Sequence, residues 1–293
     1  MTILVDHDTR VICQGMTGWA GTHYSAAMLE YGTRIVGGVT PGKAGIRHLN
    51  LPIFDTVAAA MAETDANASM VFVPPSNAAA AMIEAIEAGM PLVVALTERV
   101  PVRDMIRVRD ALKQGSTILV GPNSQGVLAP DVCKIGVMTT GRARRGSIGI
   151  MSRSASLTSE VIAQVSDAGL GQSTTVGIGG DAIHGLGMRE CLELFLADRD
   201  TRGVVVIGEI GGSEEEELAD FVAAVKPQIP VVALIVGRYA PIEHRMGHAG
   251  AIAQGLAGDA ESKIRALQAA GVIIAESPHL VGATVREALL VTA

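Results

Sequence analysis

Two successive α/β units, each a parallel β-sheet covered by helices, are the architecture this chain predicts. Three observations carry that expectation: β-branched runs alternate with amphipathic stretches, the apolar residues are aliphatic, and glycine-rich turns recur at strand ends. Hydrophobic residues make up 48% of the 293 positions, aromatic residues only 3%, and glycine occurs 34 times. Strands buried on both faces are built from such Val, Ile, Leu, Ala and Met mixtures, with short glycine turns leading into helices. A chain of this length also suits two domains better than one.

In the first unit, "RVICQG" (10–15), "RIVGGV" (34–39), "SMVFVP" (69–74), "PLVVAL" (91–96) and "STILVGP" (116–122) read as strands. Between them, stretches 20–32, 55–63, 76–89 and 102–115 have helical spacing, and the last two end at glycine. This βαβ series predicts a Rossmann-like domain over residues 1–140. The basic, glycine-flanked "GRARRG" (141–146) reads as a linker. Strands expected at 147–152, 173–178, 203–208, 230–237 and 271–276 then alternate with helices near 156–168, 185–197, 213–225, 260–270 and 279–290. They predict a flavodoxin-like α/β domain over 147–293.

The bulk charge excludes some partners. A net charge of −7 and a pI near 5.5 argue against nucleic acid, whose phosphates need a basic face. Three widely spaced cysteines, Cys13, Cys133 and Cys191, form neither a metal pattern nor a disulfide framework, so a reducing compartment is expected. The start "MTILVDHDTR" has no basic flank or long apolar run, and no stretch approaches the roughly 20 apolar residues that span a bilayer. A cytoplasmic protein without a membrane partner is expected.

"GMTGWAG", with Gly15, Gly18 and Gly21, follows the first strand and opens the first helix. Its backbone N–H groups suit a phosphate at the positive end of the helix dipole, although a G-x-x-G-x-x-G spacing also suits a ligand-free turn. An NAD site would offer an acidic residue after the second strand, to bind ribose hydroxyls. Here "VTPGK" ends in Lys43, a cation suited to a ligand with an extra phosphate; NADP and coenzyme A both qualify. "LTE" (Leu96, Thr97, Glu98) ends the fourth strand on the same carboxyl edge.

In the second unit, "SRSASLT" (152–158), "GIGGD" (177–181), "GEIGG" (208–212) and "GHAG" (247–250) all sit at strand ends. Together they build a backbone-lined cavity containing one imidazole, His248, and one carboxylate, Glu209. "GGSEEEELAD" reads as a helix start, with Ser213 and Glu216 as a capping box, rather than a metal site. His248 then has three candidate roles: a loop histidine, a metal ligand lacking a second His or Cys at suitable spacing, or a nucleophile or base held by Glu209. No metal is expected.

"GMTGWAGTH", "VGGVTPGK", "GPN", "SRSASLT", "GIGGD", "GEIGG" and "MGHAGAI" occur in order across essentially the whole chain. In this respect the chain resembles the α subunit of succinyl-CoA synthetase (succinate–CoA ligase). The resemblance implies an acid–thiol ligase of the tricarboxylic acid cycle in which His248 is phosphorylated and Glu209 orients it. It implies coenzyme A held by Thr17, Gly18, Trp19, Ala20, Lys43, Leu96, Thr97 and Glu98. The phosphoryl group and carboxylate would lie near Asn123, Ser124, Ser154, Ala155, Ser156 and Ser159. No G-x-x-x-x-G-K-[ST] occurs, so Mg-ATP or Mg-GTP would be bound by an ATP-grasp β subunit, in a heterodimer or heterotetramer.

The chain departs from the family pattern near the acyl end. "GPNSQG" puts Ser124 and Gln125 where the family has Cys and Pro, and Ala155, Ser156 and Ser159 stand for Gly, Thr and Tyr. Added space and hydrogen-bonding capacity predict, as the alternative to succinate, a bulkier or more polar di- or tricarboxylate such as malate. A non-catalytic coenzyme A-binding regulator is disfavoured because His248 and Glu209 are both present. An NADP-dependent reductase is disfavoured because no catalytic Tyr-Lys or Lys-His pair accompanies the glycine turn.

Overall fold

A computed structural model describes residues 2–241, 243–248, 250–252 and 258–292. Ala249 of the "MGHAGAI" motif lies outside the described residues. The first half places strands β1 (Arg10–Gln14), β2 (Arg34–Val39), β3 (Arg47–His48), β4 (Leu51–Phe54), β5 (Ala68–Val71), β6 (Leu92–Ala95) and β7 (Ile118–Val120) among helices α1 (Trp19–Tyr31), α2 (Val57–Thr64), α3 (Pro75–Glu87) and α4 (Val102–Leu112). The strand order is β3-β4-β2-β1-β5-β6-β7, parallel from β4 to β7 with β3 antiparallel at the edge. Without that edge strand, this is the 3-2-1-4-5-6 order of dinucleotide-binding folds.

The second half begins with an unforeseen hairpin, β8 (Gly126–Ala129) and β9 (Cys133–Gly136), and continues through β10 (Arg145–Ser152), α5 (Ala155–Asp167), β11 (Gln172–Gly177), α6 (Met188–Ala197), β12 (Gly203–Glu209) and α7 (Glu214–Val225). It closes with β13 (Val231–Val236), α8 (Ala260–Ala269), β14 (Ile273–Ile274) and α9 (Val281–Thr292). The sheet order is β14-β13-β12-β10-β11-β8-β9. Its five parallel strands have the 2-1-3-4-5 order of flavodoxin-like sheets.

Two expectations need correction. Residues 126–136, assigned with the first unit, form a hairpin whose β8 strand pairs antiparallel with β11, so the second sheet takes them in rather than beginning at 147. Arg145 and Gly146 of the expected linker open β10.

Alternation along the strands explains the layers. In β12, Val204 and Val206 join one core with α6, α7 and α8, while Val205 and Ile207 face α5 and α9. In β1, Ile12 faces α2, α3 and α4, whereas Val11 and Cys13 join the core that also holds the first face of β12. One apolar cluster is thus shared by the two sheets. The three cysteines are free and buried; burial pushes the Cys13 and Cys133 thiols up to about 12 and raises that of Cys191.

Candidate active site

In open α/β sheets, ligands bind beyond the carboxyl ends of the strands where the strand order reverses. In the first sheet that point lies between β1 and β5. Gly15 follows β1 with φ +82°, and a Cβ there would stand 2.9 Å from the Phe72 carbonyl at the end of β5. Only glycine lets the chain turn so close to the neighbouring strand. Gly18 caps α1 without a side-chain hydrogen bond, leaving first-turn N–H groups for a ligand. Lys43 folds back to this turn, its Nζ donating to Thr17 Oγ1 at 3.1 Å. Trp19 is 79% exposed and stacks on His23 with ring centroids 5.5 Å apart. Thr97 Oγ1 donates to the Val73 carbonyl at 2.7 Å, fixing the Leu96–Glu98 strand end beside β5.

The second sheet reverses between β10 and β12, and the charged centre lies there. Glu209 ends β12, and Arg153 follows β10. Glu209 Oε2 lies 2.7 Å from His248 Nδ1, and Oε1 accepts a hydrogen bond from Arg153 Nε at 3.0 Å. Both oxygens of this buried carboxylate are thus committed, and they fix which imidazole nitrogen faces inward. No described residue hydrogen-bonds Nε2. The ring lies flat against the loop after β11: a Cβ on Gly180 would meet His248 Cγ at 2.6 Å. Among the described residues, no group of His, Cys, Asp or Glu could hold a metal ion.

Electrostatics favour proton retention by His248. Its pKa is raised, chiefly by the hydrogen bond to Glu209; burial opposes this, the Glu209 and Asp181 charges add to it and Arg153 opposes it. Asp181 also sits above the usual carboxylate range because it is buried, although Asn123 Nδ2 donates to its Oδ1 at 3.0 Å.

A pocket of about 220 Å3 collects residues from both halves: Leu96, Glu98, Asn123, Ser124, Ala155 and His248 all line it. Ser154 caps α5, its Oγ accepting from the Leu157 N–H. Ser156 is exposed, and Ser159 meets Thr139 at 3.4 Å; neither lines that pocket. A larger cleft of about 630 Å3 opens beside it, lined by Glu98, Arg99, Asn123, Asp181, Arg245 and His248 among others.

The acidic start of α7 behaves differently from expectation. Ser213 makes no capping hydrogen bond; its hydroxyl donates instead to Glu217 at 2.7 Å. Glu214 accepts from Arg153 Nη1 at 2.7 Å and lies 3.1 Å from His184 Nε2. Glu215 is fully buried, pairs with the equally buried Lys263, and accepts the Glu209 N–H at 2.9 Å. Glu216, the carboxylate of the expected box, turns toward α8 instead, where its Oε1 accepts from Ser262 Oγ at 3.4 Å and its Oε2 lies 3.9 Å from Lys263 Nζ. Sequence reasoning missed Arg153, His184, Glu214 and Lys263. For Arg153 the available signal was a cation placed immediately after β10, at the switch point.

Comparison with known proteins places the chain in a family. Residues 6–99 match the CoA binding domain family model, and residues 151–273 the CoA-ligase model. The chain is 47% identical to the succinate–CoA ligase [ADP-forming] subunit alpha of Aquifex aeolicus, covering 99% of this chain and 96% of that one. The chain belongs to the succinate–CoA ligase α-subunit family. The mitochondrial alpha-2 subunit of the ADP-forming enzyme from Trichomonas vaginalis is 49% identical over 96% of this chain and 91% of its own length. The fold recurs in a mutant ATP citrate lyase of Methanosaeta concilii solved with (3S)-citryl-CoA, with a TM-score of 0.89 at 23% identity. That match covers 99% of this chain and 51% of the lyase, so this chain spans about half its length. A weaker match is the apo form of the dinucleotide-forming acetyl-coenzyme A synthetase 1 of Ca. Korarchaeum cryptofilum, with a TM-score of 0.74 at 17% identity, covering 92% and 58% of the two chains. The family thus pairs a CoA-binding first half with a ligase second half, the order seen in the two sheets.

Proposed function

We propose that the chain is the α subunit of an ADP-forming succinate–CoA ligase and that His248 carries the phosphoryl group between nucleotide and succinate. The observation that carries this reading is the 2.7 Å contact of Glu209 with His248 Nδ1, in a ring whose edge lines the same pocket as Leu96, Glu98 and Ala155. Glu209 holds the Nδ1 proton, so the Nε2 lone pair is the nucleophile. An N–P bond forms at Nε2 as the bond to the leaving nucleoside diphosphate breaks. A succinate oxygen then takes the phosphoryl group, giving an acyl phosphate and freeing the ring. The thiol of coenzyme A attacks the acyl carbon and inorganic phosphate leaves. The first-turn N–H groups of α5, at Ala155 and Ser156, suit the phosphoryl oxygens.

The first half fits coenzyme A: the uncapped α1 start, the Lys43 ammonium at Thr17 and the exposed Trp19 converge on one strand edge. Thr17, Gly18, Trp19, Ala20 and Lys43 are assigned to its nucleotide end, and Leu96, Thr97 and Glu98 to the track toward His248. This division assigns coenzyme A to the first sheet and the phosphohistidine loop to the second. The ATP site, an ATP-grasp fold, is assigned to a β subunit in the same complex, and ADP formation by the relatives supports ATP over GTP. No helix among the described residues is long and apolar enough to cross a membrane, and residence in the cytoplasm is proposed.

Succinate is favoured over malate because the new polar groups are already engaged. Ser124 Oγ donates to the Gly177 carbonyl at 2.5 Å and accepts the Gly126 N–H at 2.8 Å. The Gln125 amide donates to Thr158 at 2.6 Å. Acyl-CoA formation by the complex with its β subunit is expected to favour succinate over malate by about tenfold or more in kcat/KM. A malate preference contradicts the substrate assignment.

A further inference from the structure

Behind Glu209 lies a second set of charges that the phosphoryl-transfer reading does not use. The Arg153 side chain is 8% exposed, so its charge is shared among protein groups rather than water. Nε donates to Glu209 Oε1 at 3.0 Å and Nη1 to Glu214 Oε2 at 2.7 Å, while Nη2 points at the Asp181 carbonyl at 3.4 Å. Glu214 is itself shared. Its Oε2 also meets His184 Nε2 at 3.1 Å, and its Oε1 accepts the Met188 N–H at 3.1 Å. The other His184 nitrogen lies 3.1 Å from the Leu186 carbonyl. The chain of contacts His184–Glu214–Arg153–Glu209–His248 is therefore continuous.

We propose that Glu214 and His184 are positioning residues that set, through Arg153 and Glu209, how tightly His248 holds its ring proton. The meaning of this for catalysis rests on the function proposed above. Arg153 divides one positive charge between two carboxylates. Without the Glu214 charge, Arg153 acts on Glu209 alone; Glu209 then pulls less on the His248 N–H, and the ring releases its proton more readily. Without a donor from His184, Glu214 draws more strongly on Arg153, Glu209 is less neutralised and His248 keeps its proton to higher pH. The two changes act in opposite directions because the Glu214 carboxylate draws on the Arg153 charge and the His184 donor weakens that draw.

The remaining charges stay constant in this comparison. Asp181 faces the ring, and Glu98 and Arg245 line the adjoining cleft with it. Glu215 is held by Lys263 and the Glu209 N–H. The low pKa of Glu214, brought to about 2, fits a carboxylate fixed in its ionised form: burial opposes ionisation, and His184, Arg153 and the Met188 N–H outweigh it.

Ring titration of the full chain tests the proposal directly. The protein is labelled at its seven histidines, and His248→Asn identifies the His248 resonance by its loss. Glu214→Gln is expected to lower the His248 midpoint by about half a pH unit or more, and His184→Asn to raise it by a similar amount. His184→Gln, which keeps a donor toward Glu214, is expected to stay near the parent value. Unchanged midpoints, or shifts in the same direction for Glu214→Gln and His184→Asn, overturn the proposal. If Glu214→Gln does not fold, the two His184 variants decide: a midpoint raised by Asn but not by Gln supports the proposal, and any other pattern overturns it. The titration needs no phosphoryl donor. Failure of His248 to accept phosphate therefore counts against the proposed function alone, and unmoved midpoints count against this inference alone.

Discussion

Glu209→Gln is expected to lower the plateau rate of His248 phosphorylation by about two to four orders of magnitude and to move its acidic limb to lower pH. The carboxylate has two effects. It accepts the Nδ1 proton, which selects the tautomer with a free Nε2 lone pair. It also stabilises the ring's charged form, which is why the His248 pKa is raised. The reactive ring is the unprotonated one, so in the parent protein the rate falls as pH drops through a value above the usual histidine value of 6.5. A glutamine carries no charge, so protonation begins only at lower pH and the limb moves down. The same glutamine can turn its amide to donate to Nδ1, which forces the proton onto Nε2 and removes the nucleophile. Single-turnover phosphorylation against pH separates these effects. A limb that stays in place, or a plateau reduced less than tenfold, contradicts the assigned role of Glu209.

Lys263→Met is expected to destabilise the fold by about 3–5 kcal/mol, as removing one partner of a buried ion pair does. The Lys263 side chain is fully buried and its Nζ donates to Glu215 and, at 2.6 Å, to the Gly211 carbonyl. Burial already pushes the Glu215 carboxyl upward, against the pull of Lys263, so loss of the ammonium leaves an uncompensated group inside the core. The damage reaches the active site because Glu215 also accepts the N–H of Glu209. Urea unfolding measures the loss, and the double variant Lys263→Met, Glu215→Leu is expected to recover much of it. Equal stability of Lys263→Met and the parent contradicts the pairing.

Local pattern made the main strands and helices legible. The first strand, its glycine turn and α1 follow from "RVICQGMTGWAG", because strand propensity, positive φ and a helix start coincide within a few residues. The β8–β9 hairpin did not emerge, because "GVLAPDVCKIG" supplies strands of only four residues, and the partner of β8 is the distant β11, where Leu128 pairs with Thr175 and Val127 with Val176. His248 and Glu209 were legible because each is isolated among glycines, where a polar side chain has little structural role. Arg153 was hidden in the serine-rich "SRSASLT"; its partners are 56 and 61 residues distant. Lys263 was hidden differently, since in "AESKIRALQA" it looks like a solvated helix residue, and only packing of α8 on α7 buries it. Glu214 and His184 are readable only once the fold has joined them.

The most direct measurement is to mix the chain and its β subunit with Mg-ATP labelled in the γ-phosphate, then map the modified residue. Acid-labile label on His248, absent from His248→Asn and discharged by succinate with coenzyme A, is the expected result. Label that maps to another residue, or no label while coenzyme A still binds, contradicts a phosphohistidine ligase and favours a coenzyme A-binding regulator.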